Sequence, residues 1–185
     1  MPSINLEFFK KLQNNYKNYD CFIETGTFDG NTILNVEPYF EKLYTIEISE
    51  KYYNNTKSKY SGDKIKFILG DSSVVLNSLL KYINCKSIFF LDGHWSSGDT
   101  GRSDKDVPLV EEITSINNLF RNEAIIIIDD FRLFGMSRET GLNEDWSYIN
   151  KEHLLDILRS RIDKVYHLDS ELAEDDRLVI HINAK

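Results

Sequence analysis

The chain has 185 residues, with 22 Lys and Arg against 30 Asp and Glu for a formal charge of −8, and it is 41% hydrophobic and 12% aromatic. The length suits one domain, residues 1–185, and the apolar content excludes a disordered chain; the acidic balance argues against nucleic acid as a partner, because it provides no net field for phosphates. The start, Met1 to Lys10, lacks a charged region followed by an apolar core, and the longest apolar runs are too short to span a bilayer, so a cytoplasmic protein with no membrane span is expected.

In chain order, Asn5 to Tyr16 reads as a leading helix within residues 1–19, ahead of a core over residues 20–182. A strand at Cys21 to Glu24 precedes a helix at Asn31 to Tyr39, and a strand at Leu43 to Ile48 precedes a helix at Glu50 to Tyr60 with Ser49 as its N-cap. Next come a strand at Lys66 to Leu69, a helix at Ser73 to Ile83 and a strand at Ser87 to Asp92. A helix at Pro108 to Phe120, a strand at Ala124 to Asp129 and a helix at Asn150 to Ile162 follow. Strands at Lys164 to Leu168 and Leu178 to Ile182 are joined by a segment too short for a helical crossover, which predicts an antiparallel hairpin. The alternation is that of an α/β protein with a mostly parallel seven-stranded sheet and helices on both faces. Ile88-Phe89-Phe90-Leu91 and Ile125-Ile126-Ile127-Ile128 are apolar throughout, the pattern of strands covered on both sides. Cys21 and Cys85 read as small buried side chains, without disulfide or metal spacing.

Two long irregular segments, His94 to Val107 and Arg132 to Trp146, follow the fourth and fifth strands, at the sheet edge where open α/β sheets bind ligands. The residues at that edge carry chemistry. After the first strand the chain reads Glu24-Thr25-Gly26-Thr27-Phe28-Asp29-Gly30, a glycine turn into a helix that allows a ligand close to the backbone. Glu47 ends the second strand, where a nucleotide site needs an acceptor for ribose hydroxyls, and Leu69-Gly70-Asp71-Ser72 ends the third. Singly, Glu47 and Asp71 read as solvated strand-end acids; their order makes a site.

In this order the residues resemble the class I S-adenosylmethionine-dependent methyltransferases over about residues 20 to 182, which implies a Rossmann-like fold. By that resemblance Glu24, Thr25, Gly26, Thr27, Gly30 and Thr32 line the methionine end of S-adenosylmethionine. Glu47 binds its ribose beside Ile48, and Asp71 with Ser72 faces its adenine. Asp92 closes the cofactor site at the fourth strand.

The fourth strand ends Leu91-Asp92-Gly93-His94-Trp95 and the fifth Ile128-Asp129-Asp130-Phe131. If the strands are neighbours, Asp92, Asp129 and Asp130 converge, and three carboxylates repel unless protons or a cation intervene; Mg²⁺ suits such oxygen ligands. The alternative is that Asp129 or Asp130 caps the next turn. The pattern is similar to the metal-dependent sugar O-methyltransferases of the macrocin O-methyltransferase type. That resemblance implies Asp92, Asp129 and Asp130 as metal ligands, with His94 as general base and Asp92 in the catalytic set. It implies as acceptor a carbohydrate or glycosylated small molecule, and it admits a homodimer or a place in a larger glycan-synthesis protein. Family members are longer, so the acceptor sugar does not carry over. A catechol acceptor and a catalytically silent cofactor-binding module are the competing readings. Trp95, Arg102, Lys105, Arg132, Phe134 and Trp146 are weaker acceptor-site candidates, while His153, His167 and His181 read as structural.

Overall fold

A computed structural model describes residues 4–96, 98 and 100–185; Met1 to Ser3, read above for a signal, and Ser97 and Asp99 of the first long loop lie outside the described residues. Helix α1 (Leu6–Lys11) opens at Asn5, whose Oδ1 accepts the Phe8 N–H at 3.1 Å. It ends well before the expected Tyr16, because Gln13-Asn14-Asn15 is a poor continuation: the Asn15 side chain accepts the Lys17 N–H and closes a separate short turn over Tyr16–Asn18. Strand β1 (Cys21–Thr25) leads to α2 (Asn31–Val36), which gives way to a tight turn at Glu37–Tyr39, where Pro38 has no N–H to continue the helix. Strand β2 (Lys42–Glu47) and helix α3 (Glu50–Ser58) follow; Ser49 stands at the N-cap but its side chain makes no capping bond, and its backbone N–H binds Glu47 instead.

After β3 (Ile65–Leu69), α4 (Ser72–Leu79) begins one residue earlier than expected because Asp71 is the cap, accepting the Ser73 N–H at 2.9 Å. Strand β4 (Ser87–Leu91), helix α5 (Leu109–Leu119) and strand β5 (Ala124–Ile128) form the centre, with Pro108 at the cap of α5 rather than within its first turn. Helix α6 (Lys151–Leu158) is capped by Asn150 and stops short of Ile162, which instead opens β6 (Ile162–Leu168). Arg161 accounts for the break: buried, it donates to the carbonyls of Asn122 at 2.9 Å and Asn183 at 3.0 Å, partners that a continued helix would not reach. Strand β7 (Arg177–Ile182) completes the sheet.

The sheet order is β3-β2-β1-β4-β5-β7-β6, parallel from β3 to β5, with β7 antiparallel to both β5 and β6. This is the expected seven-stranded α/β sheet with its terminal hairpin. Alternation along the central strands divides the core in two. Ile23, Phe89, Leu91, Ile126 and Ile128 pack with Leu76, Ile113, Ile116 and Leu154 of α4, α5 and α6 on one face. Phe22, Ile88, Phe90, Ile125 and Ile127 pack with Phe9, Ile33 and Val36 of α1 and α2 on the other. Cys21 and Cys85 are both free thiols. Among the described residues no helix is long and apolar enough to cross a membrane.

Register sets the site. Thr25 pairs with Ile46 and Leu91, and Leu91 pairs with Ile128, so Gly26, Glu47, Asp92 and Asp129 come level at the carboxyl edge. The pairing continues one residue past the strands: Gly26 N–H donates to Ile46 at 3.0 Å, and Asp92 and Asp129 donate to Thr25 and Leu91, each at 3.2 Å.

Candidate active site

A cleft of about 580 Å³ runs along this edge from Tyr52 and Glu47 past Gly26 to Asp92 and His94. Its floor is the turn after β1. Gly26 has φ 81°, and a Cβ there would lie 2.2 Å from the Asp92 carbonyl oxygen, so only glycine lets the turn pass β4 this closely. A smaller arm of about 270 Å³ continues from Gly26 between Glu24, Thr27, Thr32 and Asp92. Gly30, with φ 78°, starts α2 at the far side of the turn.

The acids that sequence order brought together all reach this edge, each in a different state. Glu47 is buried, and its two oxygens each accept one backbone N–H at 2.8 Å, from Phe28 and Ser49. A carboxylate so oriented has acceptor capacity left for two hydroxyls. Glu24 is fully buried and accepts the Thr45 hydroxyl at 2.5 Å, with Thr27 hydrogen-bonded in turn to Thr45. Burial holds Glu24 well above the usual carboxylate range; the Thr45 bond opposes this, and Asp92 and Glu47 add to it. Asp71 lines the cleft, but Oδ1 accepts both the N–H and the hydroxyl of Ser73, and Oδ2 accepts the Ser103 hydroxyl. Burial works against its charge, and these bonds outweigh it and lower its pKa. Asp71 therefore acts first as a helix cap and loop tether. Ser72 and Thr25 are buried, and Ile48 is partly exposed on the cleft wall, where Gly101 of the first long loop lies so close that a Cβ would meet Ile48 Cγ2 at 2.2 Å.

At the inner end, the three aspartates expected to share one ion are distributed over two clusters. Asp92, His94 and Asp130 bring ligand atoms within 4.8 Å of one another, as do Asp129, Asp130 and Asp176; among the described residues Asp92 and Asp129 share no such group. Asp129 is paired to Arg177 Nε at 3.2 Å, both side chains being almost fully buried, which supplies the cation locally. Burial, with Asp92 adding and Arg177 opposing, still raises Asp129 to about 7. His94 stands between acids: Nδ1 is 3.4 Å from Asp92, and Nε2 is 3.5 Å from Asp130 and 3.6 Å from Glu144. Burial disfavours its charge, yet these three carboxylates prevail and raise its pKa to about 9. Burial likewise raises Asp92, against the pull of His94. Asp92 Oδ1 is buried with no hydrogen-bond partner.

The long loops cover this end jointly. Asp106 accepts Arg102 Nε at 2.7 Å, Arg138 Nη2 at 2.5 Å and the Asp145 N–H at 3.0 Å, tying both loops together, and Tyr148 Oη bonds the Val107 backbone. Burial works against the charge on Asp106, but Arg138, Asp145 and Arg102 outweigh it and hold its carboxyl below the usual range. Trp146 is buried with its ring 5.1 Å from that of His94 and 6.0 Å from Phe134, while its Nε1 donates to Glu144 at 2.8 Å. Arg102 lies over Trp95, and Lys105 is ion-paired to Glu111. His153 donates its backbone N–H to Asn150, His167 bonds Lys151 and Asp175, and His181 bonds Tyr166, all away from the cleft.

Two residues of this region were not anticipated. Glu144 carries no local motif and faces His94 only because its loop folds back. Glu112 of α5 is buried, and it approaches Gly93 so closely that a Cβ there would meet Glu112 Oε1 and Thr25 Oγ1, each at 3.1 Å; both atoms lack hydrogen-bond partners. Burial raises Glu112 to about 7, with Ser72 and Thr25 opposing. Its place in the alternating apolar pattern of α5 was the available signal, an acid on the inward face.

No protein-family model matches the sequence, and a search of curated proteins gives no match. Solved structures do resemble it. The O-methyltransferase TomG from Streptomyces achromogenes, involved in tomaymycin synthesis and bound to S-adenosylmethionine, superposes with TM-score 0.64 at 15% identity, covering 91% of this chain and 75% of TomG. An rRNA methylase from Streptococcus thermophilus gives 0.55 at 14% identity, covering 91% and 89%. The N-methyltransferase NodS from Bradyrhizobium japonicum, bound to S-adenosylhomocysteine, gives 0.56 at 11%, covering 90% and 78%. The fold is that of the S-adenosylmethionine-dependent methyltransferases, and these neighbours differ among themselves in what they methylate.

Proposed function

We propose that this protein is an S-adenosylmethionine-dependent O-methyltransferase acting on a sugar hydroxyl of a glycan or glycosylated metabolite, with Mg²⁺ held by Asp92 and Asp130. The observation that carries the proposal is continuity: a cleft bordered by Glu47 and Gly26 opens directly onto Asp92 and His94, with Asp130 behind them. Glu47 is oriented by two backbone N–H groups to receive a ribose, and the turn at Gly26 leaves a backbone cradle that any side chain would fill. S-adenosylmethionine, when bound, supplies a methyl group already activated on a sulfonium, so the protein's main task is alignment.

Fit to a divalent ion rests on the donor set and one orphan. Asp92 Oδ1 is buried and makes no hydrogen bond, its nearest polar neighbour being His94 Nδ1 at 3.4 Å, and Asp130 brings an oxygen to the other side of the same ring. Asp129, expected as a third ligand, is engaged by Arg177 and is left out of the proposed set. A divalent ion held by Asp92 and Asp130 would supply positive charge for a developing alkoxide, and with those two carboxylates engaged His94 would hold its proton less tightly. His94 is proposed as the base, with Trp146 packed against its ring to fix its plane. The two laced loops exclude water around it.

Radiolabelled S-adenosylmethionine and a panel of glycosides, nucleotide sugars and catechols test the reading. Transfer to a glycoside that stops in EDTA, returns with Mg²⁺ and is abolished in His94→Ala is expected. Transfer to catechols alone overturns the acceptor; full transfer in EDTA overturns the ion.

A further inference from the structure

Asp130 has φ 58° and ψ 35°, the left-handed region, uncommon for a residue with a Cβ although Asp tolerates it better than most, and a set of contacts fixes it there. The holding contacts come from the C-terminal hairpin. Arg132 Nη1 bridges Asp130 Oδ1 at 2.6 Å and Asp176 Oδ2 at 2.5 Å. The Arg132 N–H donates to Asp176 Oδ1 at 3.1 Å, and the Phe131 N–H donates to the Asp176 carbonyl at 2.8 Å. Asp176 is itself fixed: its side chain is wholly buried and accepts the Ser170 hydroxyl at 2.6 Å. The Asp130 carboxylate is thus divided, Oδ1 toward the clamp and Oδ2 toward His94 at 3.5 Å.

We infer that Arg132 and Asp176 are positioning residues, a strut from the loop before β7 that turns Asp130 into the left-handed region and aims its free oxygen at His94. The strut rests on the proposed role of Asp130 in the site, but its geometry can be tested without it. It also accounts for the second acidic cluster: Asp129 is paired with Arg177, and Asp130 and Asp176 share Arg132, leaving one carboxylate charge in excess.

Electrostatics and positioning predict opposite results for Arg132→Gln. Removing a guanidinium 2.6 Å from a ligand oxygen should tighten cation binding if charge is all it contributes. If it positions, binding weakens, by about tenfold or more on the scale of supporting partners at metal sites. Mn²⁺ is titrated into protein saturated with S-adenosylhomocysteine, and the crystal structure of the variant is solved without metal. Weaker Mn²⁺ binding at unchanged S-adenosylhomocysteine affinity, with Asp130 out of the left-handed region, is expected. Equal or tighter Mn²⁺ binding, or an unmoved Asp130, overturns the strut. Asp176→Asn, isosteric at the buried end, repeats the crystal structure should Arg132→Gln fail to fold; because loss of a carboxylate weakens cation binding on either account, it is judged by the Asp130 conformation alone, and an unmoved Asp130 overturns the strut. If the wild type does not bind Mn²⁺ while Asp130 still swings away in the variant, the strut stands and the proposed ion is what fails.

Discussion

Glu47 and Glu112 are both buried acids near the cleft, yet their surroundings give them opposite tasks. Glu47 is met by two N–H groups and is prepared to accept more; Glu47→Ala removes two charge-assisted acceptors, and calorimetry should show S-adenosylmethionine binding weakened by about 10- to 100-fold. Glu112 has an oxygen without a partner and a pKa near 7, against an ordinary 4.5. Between those values the folded protein keeps a proton that the unfolded chain has lost, so this residue's contribution to stability falls as pH rises from about 4.5 to 7 and then levels off, a loss of roughly 3 kcal/mol at most. Glu112→Gln, neutral throughout, should flatten that part of the profile. Thermal midpoints measured from pH 5 to 8 check it, and an unchanged slope would refute it. The place of Glu47 and Asp71 at the cleft could be read from sequence because Glu47 ends β2 and Asp71 stands two residues past β3, so position along the chain is position at the carboxyl edge. Glu112 left only the signal of an acid on the inward face of α5, and Glu144 and Asp176 left none, because they arrive through tertiary folding from loops whose own pattern says nothing about the cleft.

Among the elements, the strands were legible to within two residues, since runs such as Ile125 to Ile128 have no stable alternative to a fully covered strand. Helix ends were less so. Lengths were overread at α1 and α6, where Asn15 and Arg161 bind backbone groups in place of another helical turn. The pairing of Asp129 with Arg177 was hidden for a related reason: it joins the ends of β5 and β7, and nothing local announces which strand an acid will face. The two long loops behave as one element through Asp106, whose carboxylate collects Arg102, Arg138 and the Asp145 N–H. Asp106→Ala should release both together. Limited proteolysis is expected to cut both the 100–105 and the 136–145 segments faster, with α5 and the sheet still protected. Cleavage of only one would show that the loops are independent.

For the whole molecule, a net charge of −8 argued only against phosphate-rich partners. Its distribution is more informative, since Glu24, Glu47, Asp71, Asp92, Asp129 and Asp130 all lie at one edge, against self-repulsion that a bound cation would relieve. S-adenosylhomocysteine at 100 times its dissociation constant should raise the thermal midpoint by about 5 to 10 °C, and no shift would mean that the cleft does not bind it. The sheet order carries one further consequence, for how the chain folds. Strand β7 is synthesised after β5 and β6 but is seated between them, so β5 can pair with β4 while its other edge stays open and β6 has no neighbour until β7 arrives. Since Asp176 and Arg177 come with it, a chain made only as far as β6 lacks the Arg177 partner of Asp129 and the Asp176 anchor of the Arg132–Asp130 pair. The part of the sheet from β3 to β5 can form first, and the Asp129–Arg177 and Asp130–Asp176 contacts must form last; a nascent chain acquires the cleft at Glu47 and Gly26 before the acidic end beside it is fixed.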